Sequence, residues 1–161
     1  MYKDKIQNTN NKVAWHVNAN HVGGYSYRLC KLPSGGISEL TEECFQQNHL
    51  DFVGDHQWVV MDNEPEERKE VLALRTREGT FPPGSHWTKS PLEPEPEETR
   101  QLGHIFDYVE VPIIIIVMTI MIIIIVEVPI DLEAGSYVLS FRWDCQATAQ
   151  IWNACANIEI I

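Results

Sequence analysis

Histidines and cysteines are the residues of this chain best suited to chemistry. The chain has six histidines among 161 residues, and the neutral imidazole ring is a common metal ligand. His16 and His21 lie five positions apart, so in a continuous strand they would point to opposite faces. A two-histidine site from His21 and His86 would require the "GSHW" loop to fold over. The other three lack pairing spacing and are expected to be solvated: His49, His56 and His104.

The four cysteines form two pairs that are close in sequence, Cys30 with Cys44 and Cys145 with Cys155. Neither pair has the Cys-x-x-Cys spacing of a zinc knuckle or a redox motif. Two local disulfides are the simplest interpretation, and they imply an oxidising compartment. The alternative is four free, buried thiols in a cytosolic protein.

Other common chemistries lack a signature in this sequence. No phosphate-binding loop, nucleophile elbow or zinc motif occurs. Glu42 and Glu43 could suggest an acid/base pair, but adjacent helix positions point apart, so a solvated face is expected. The net charge of −11 argues against a nucleic-acid partner, because phosphate binding needs a basic face. Neutral polysaccharides, metal cations and basic partners stay open.

Short alternating segments separated by Gly and Pro turns predict an all-β sandwich. One segment places Tyr25, Tyr27 and Leu29 on a common face, with Ser26 and Arg28 on the other. The segment "SELTEECF" predicts a short helix capped by Ser38 or Thr41. Residues 62–78 predict a hairpin or a short helix. Five segments have strand character: "VAWHVNANH", "GGYSYRLC", "QWVVMD", "SYVLSFRWDC" and "CANIEII".

The length of 161 residues suits one domain. Residues 1–12 are polar and are expected to be a disordered lead. Residues 13–161 would then form a single β-sandwich domain. Within it, residues 91–100 are acidic and Pro-rich, which predicts an exposed loop.

Residues 113–126 are dominated by Ile and Val. The run is shorter than the roughly 20 apolar residues of a membrane-spanning helix, and no Lys or Arg flanks it. Stiff, β-branched side chains favour strands. A buried strand is therefore predicted, with a membrane helix and an irregular gene product as alternatives. The motif "VEVP" occurs on both sides of the run.

Three stretches of the chain resemble a known family, at residues 14–45, 82–87 and 126–160. Their most specific motifs are "NHVGGYSYRLC", "LTEECF", and "RWDC" followed by "WNAC". Together these are similar to secreted proteins with a chitin-binding type-4, lytic polysaccharide monooxygenase-like domain, particularly those of oomycetes and microalgae.

This resemblance implies an immunoglobulin-like or fibronectin III-like sandwich that binds copper and oxidatively cleaves chitin or cellulose. The family holds copper through the amino group and side chain of an N-terminal His and through a second His. The motif match assigns the second His to His21 as the metal ligand. It places Trp152 where relatives have an aromatic residue beside the copper. Val22 stands where many relatives have Gly, which would alter the loop beside His21.

The first copper ligand of the family has no counterpart here, because no residue before Val13 is His. The N-terminus also lacks the apolar segment of a signal peptide, although the resemblance implies secretion. The expectation is a sandwich that lacks its N-terminal part and is inactive as a lytic polysaccharide monooxygenase. One alternative is a non-catalytic carbohydrate-binding module using Trp15, Tyr25 or Trp87. The other is a fragment tethered to a membrane by the Ile-rich run.

Overall fold

The computed structural model describes residues 11–17, 19–62, 65–92, 103–110 and 132–160. The Ile-rich run at 113–126, predicted as a buried strand, lies outside these ranges. So do residues 93–100 of the predicted acidic loop and the first ten residues of the predicted lead. Within the described ranges, no helix is long and apolar enough to cross a membrane.

The described strands form two five-stranded antiparallel sheets, which confirms the predicted all-β sandwich. The order in the first sheet is β1-β8-β4-β5, with β3 also pairing with β8. Its strands are β1 (Asn11–Val17), β3 (Asp51–Phe52), β4 (His56–Met61), β5 (Arg68–Leu72) and β8 (Gly103–Glu110). The first strand thus begins two residues inside the predicted lead.

The second sheet has the order β10-β9-β2-β7-β6. Strands β9 and β10 form a hairpin, and β10 begins four residues before the predicted final strand. The strands are β2 (Gly24–Lys31), β6 (Arg75–Thr76), β7 (Trp87–Lys89), β9 (Gly135–Asp144) and β10 (Ile151–Ile160).

The core lies between the two sheets and follows the predicted alternation along the strands. Tyr25, Tyr27 and Leu29 of β2 are at most 3% exposed. They pack against residues of the first sheet, including Val13 and Ile105. Residues 62–78 contain β5, which pairs with β4; the predicted segment thus holds the second strand of a hairpin whose first strand precedes it. Leu92, at the start of the predicted exposed loop, is instead buried in this core.

A short helix, α1 (Glu42–Gln47), is attached to the outer face of the second sheet. The Thr41 hydroxyl accepts a hydrogen bond from the Cys44 N–H at 3.3 Å, so Thr41 is the cap, one of the two residues predicted for this role. A disulfide joins Cys30 to Cys44, with their Cα atoms 5.6 Å apart. The first predicted disulfide is therefore confirmed, and it fixes α1 against β2.

The second predicted disulfide is wrong, because Cys145 and Cys155 are both free thiols. In the β9–β10 hairpin, Cys155 lies opposite Ser140, whereas Cys145 follows the end of β9. The two cysteines are thus separated by about five strand positions, or roughly 17 Å at the usual rise. A disulfide needs Cα atoms within about 7 Å, so this register prevents the bond.

Candidate functional site

An open groove of about 540 Å³ runs along one side of the sandwich. Edge strand β1 of the first sheet forms one wall and edge strand β10 of the second forms the other. Aromatic rings and two histidines dominate its lining, which contains no Lys, Arg, Asp or Glu among the described residues. The lining consists of Ala14, Trp15, His16, Ala19, His21, Phe141, Trp143, Trp152, Asn153 and Ala154.

Trp152 forms the exposed rim of the groove. It lies on the same face of β10 as Ile158 and Ile160, which are each only 2% exposed. Trp152 itself is 51% exposed. Strand β1 is the edge of the first sheet, and no further described strand lies next to it to cover this end of β10. The side chain thus belongs to the inner face of the sheet but remains accessible to a ligand.

The floor of the groove is a cluster of packed aromatic rings. The Trp15 ring lies 4.8 Å from Phe141 and 5.2 Å from Trp143, measured between centroids. It also meets the Tyr25 ring edge-on at 5.0 Å. Alternation along β1 and β9 turns these rings inward, and their mutual packing fixes their orientation. The groove therefore has a closely packed, apolar floor.

His16 and His21 both line this groove, whereas in a continuous strand they would point to opposite faces. The strand is not continuous between them, because β1 ends at Val17. The His21 carbonyl accepts hydrogen bonds from the N–H groups of Gln146 and Ala147, each at 3.2 Å. These bonds tie the segment after β1 to the β9–β10 turn. His16 pairs with Asp62 through Nε2 at 3.0 Å.

Backbone geometry beside His21 depends on Val22 and Gly23. Val22 has φ +45°, a left-handed conformation that is uncommon for a β-branched residue. Its carbonyl accepts a hydrogen bond from Trp143 Nε1 at 2.8 Å, and its N–H donates to Asn20 Oδ1 at 2.9 Å. These bonds hold the loop in a strained conformation next to the groove.

Gly23 permits the close approach of this loop to the end of β9. At its φ of +97°, a Cβ atom would overlap the Asp144 carbonyl oxygen.

We expect Gly23→Ala to lower the free energy of unfolding by about 2–3 kcal/mol, through backbone strain and the forced shift of the neighbouring backbone. The matched control is Gly79→Ala, where φ is +67° but the added Cβ meets no atom within 4 Å. In urea denaturation, the free energy of unfolding of Gly79→Ala should fall by only about 1 kcal/mol. Equal losses in Gly23→Ala and Gly79→Ala would contradict the steric argument.

The predicted sugar-binding residue Tyr25 does not reach the groove surface. It is 0% exposed, because inward alternation on β2 places it in the centre of the sandwich. Its hydroxyl donates to Asp107 Oδ2 at 2.7 Å. Trp87 also lies away from the groove, on β7, where its Nε1 donates to Ser85 Oγ at 3.0 Å. Of the three aromatic residues predicted for sugar binding, only Trp15 lines the groove.

The histidine predictions have mixed outcomes. His86 does not join His21 in the groove; its Nδ1 accepts the Phe52 N–H at 3.1 Å, and burial lowers its pKa. His49 is half-buried rather than solvated, and burial lowers its pKa to about 4. His56 is about half exposed and pairs with Asp55 at 2.6 Å. The His104 side chain lies outside the described residues.

The adjacent carboxylates of α1 differ in role. Glu43 is exposed, as expected. Glu42 is half exposed, but its Oε1 also accepts hydrogen bonds from Arg28 at 2.6 Å and from Arg142 at 3.0 Å. It therefore links α1 to the second sheet instead of lying on a purely solvated face.

The copper centre implied by the resemblance is not assembled from the described residues. No group of three or more His, Cys, Asp or Glu side chains among them could hold a metal ion. His21 supplies one imidazole, but the family site also requires an amino group and a second imidazole. The described residues therefore do not fit the copper site of the family.

Asp107 is a buried ionisable group that was not among the predicted site residues, because β8 was not among the predicted strands. It is 0% exposed and lies beneath the groove floor, bonded to Tyr25. Gln57 Nε2 lies 3.4 Å from its Oδ1, and Arg75 Nη2 lies at 4.0 Å. Burial raises the pKa of the Asp107 carboxyl to about 6, although the bond from Tyr25 and the charge of Arg75 oppose the rise. The sequence pattern that could have identified Asp107 is the alternation of "HIFDYV", which puts Asp107 on the same strand face as Ile105.

The structure thus brings together two residues that the family motifs single out. His21 and Trp152 come from segments more than 100 positions apart, yet both line the groove. Comparison with family models, curated proteins and solved structures finds no match to this chain, so the resemblance to lytic polysaccharide monooxygenase-like domains stays a prediction from its motifs.

Proposed function

We propose that this chain is a polysaccharide-binding β-sandwich domain that holds a neutral sugar chain, such as chitin or cellulose, in the aromatic groove. The observation that carries the proposal is the half-exposed Trp152 above a floor of Trp15, Phe141 and Trp143. Ligand sites of this kind combine apolar and aromatic walls with a few polar groups that set orientation.

The chemistry of the lining favours sugar rings. A pyranose ring has a face of C–H groups that can lie flat on an indole, while its hydroxyls point outward to polar groups. The imidazoles of His16 and His21 can donate and accept hydrogen bonds at this edge. Among the described residues the groove lining carries no carboxylate, Lys or Arg, and the chain has a net charge of −11. A neutral polysaccharide is therefore favoured over an acidic one.

Oxidative cleavage is the second candidate, supported by the common location of His21 and Trp152. It would require further copper ligands, which the described residues do not provide. Isothermal titration with copper separates the two candidates. Sub-micromolar copper binding that His21→Ala abolishes would support the oxidative role, whereas polysaccharide binding without copper supports the binding role.

Trp152→Ala is expected to weaken binding to insoluble chitin or cellulose about tenfold, which corresponds to about 1.4 kcal/mol. The reason is loss of the accessible stacking surface. A pull-down isotherm with the full chain in the presence of a chelator measures the effect. Trp87→Ala is the matched control, since Trp87 lies outside the groove and should leave binding unchanged. Absence of binding by the wild-type chain, or equal loss in both variants, would contradict the proposal.

A further inference from the structure

The edge strand β10 has the properties of an association surface. In the described part of the chain it pairs on one side only, with β9. It spans ten residues, "IWNACANIEI", with a single charged side chain and no Pro. Ile151 and Trp152 are 54% and 51% exposed. Edge strands of stable monomers usually carry Lys, Pro or a bulge that blocks further pairing, and β10 has none of these.

Two backbone hydrogen bonds establish which groups of β10 face its open edge. The Cys145 N–H donates to the opposite Gln150 carbonyl at 3.0 Å, so these residues form a hydrogen-bonded pair. On the other side of β9, the Leu32 N–H donates to the Ser136 carbonyl at 2.8 Å. Along antiparallel strands, hydrogen-bonded pairs alternate with non-hydrogen-bonded pairs. Each of the two bonds therefore shows which β10 residues bond to β9 and which face the open edge, and the two bonds agree. The β10 residues whose N–H and C=O groups face the open edge are Ile151, Asn153, Cys155, Asn157 and Glu159.

We propose that two copies of the chain associate by antiparallel pairing of their β10 strands, about a two-fold axis through Cys155. A two-fold interface must be self-complementary, and this register meets that condition. It brings small residues together near the axis and sets no like charges opposite each other. The resulting partners are Ile151 with Glu159, Trp152 with Ile158, Asn153 with Asn157, Ala154 with Ala156, and Cys155 with itself.

The second copy is favoured as the occupant because β10 matches its own sequence in this register. Each outward-facing residue would exchange backbone hydrogen bonds with its counterpart, which is the main source of affinity in strand addition. The two second sheets would become continuous. Since the axis is perpendicular to the sheet, both grooves would lie on the same face of the dimer. The association itself requires no polysaccharide.

Sedimentation equilibrium of the full chain, under conditions that keep Cys155 reduced, tests the proposal. We expect a concentration-dependent species of twice the 18.5 kDa chain mass. Ile151→Lys would face Glu159 of the partner subunit at two symmetric positions and should tighten the dimer about fivefold. Ile151→Glu would create two like-charge contacts and should weaken it about fivefold. Adding Glu159→Lys to Ile151→Glu should restore association.

Thiol cross-linking provides an independent check on the position of the axis. In a Cys145→Ser chain with the Cys30–Cys44 disulfide intact, a short bismaleimide should join two copies through Cys155. The control chain carries Cys155→Ser together with Ser38→Cys. Ser38 is exposed and lies on another part of the molecule, so its replacement places a thiol away from the proposed axis. A monomer at all concentrations, equal cross-linking of both chains, or equal weakening by Lys and Glu at position 151 would overturn the proposal.

Discussion

Replacing Cys30 and Cys44 together with alanine should lower the free energy of unfolding by about 3 kcal/mol, the value for a loop of about 15 residues. The two cysteines are 14 positions apart, so their bond restricts the unfolded chain between β2 and α1. Cys30 is also fully buried and packs with Phe45 and Val138. Loss of the bond therefore combines a freer unfolded state with weaker attachment of α1.

Urea denaturation of the oxidised wild-type chain and the double variant measures this loss. Cys155→Ala is the matched control, because Cys155 is an exposed free thiol. A surface change of this kind should alter stability by no more than about 0.5 kcal/mol. The experiment is best done at concentrations where the chain is monomeric. Similar losses in the two variants would show that the bond contributes little.

Asp107→Asn should change the pH dependence of stability more than any other single carboxylate substitution among the described residues. Burial raises the pKa of this carboxyl from 3.8 to about 6 in the folded chain. The folded state therefore holds its proton more tightly than the unfolded state does. A shift of this size corresponds to about 3 kcal/mol, since one pKa unit corresponds to about 1.4 kcal/mol.

The direction of the effect follows from proton linkage. The Asp107 contribution to stability is fully present below about pH 4, where both states are protonated. It is lost as the pH rises through about 6, and above that it stays constant. His49 acts in the opposite direction, because burial lowers its pKa from 6.5 to about 4 and its neutral form is favoured on folding. The wild-type profile is therefore a sum of opposing contributions.

A difference measurement isolates Asp107 from His49. The stability of Asp107→Asn minus that of wild type should rise by about 3 kcal/mol between pH 4 and pH 7. Denaturation curves at half-unit pH intervals provide this difference. Glu67→Gln is the control, because Glu67 is 60% exposed and 3.8 Å from Lys69, and it should produce changes within about 0.5 kcal/mol. A flat difference for Asp107→Asn would mean that the carboxyl is ionised at little cost in the folded chain.

Local patterns were sufficient for much of the fold. Alternation on β2 correctly grouped Tyr25, Tyr27 and Leu29 on a common face, because side chains on a strand alternate with period two. Residue type also limited the helix cap to Ser38 or Thr41, and Thr41 is the cap. The Cys30–Cys44 bond followed from sequence proximity, which here coincides with proximity in space.

The same local patterns failed where pairing between distant segments matters. Proximity in sequence suggested a bond from Cys145 to Cys155, but the hairpin register moves them apart along the strands. Tyr25 was taken for a surface aromatic, although the opposite sheet covers it. Strand β8 was not recognised, so its buried Asp107 and the partner Tyr25 were not connected.

The sequence by itself determined the β class, the grouping of alternate residues on a common strand face, two candidate helix caps and one disulfide, because each depends on neighbouring residues. Only the tertiary structure decided that His16, His21 and Trp152 share a groove, that β10 is an edge in the described chain, and that Asp107 is buried. The physical reason is that period-two alternation shows which residues share a face. It does not show which strand lies opposite that face, or whether any strand covers it.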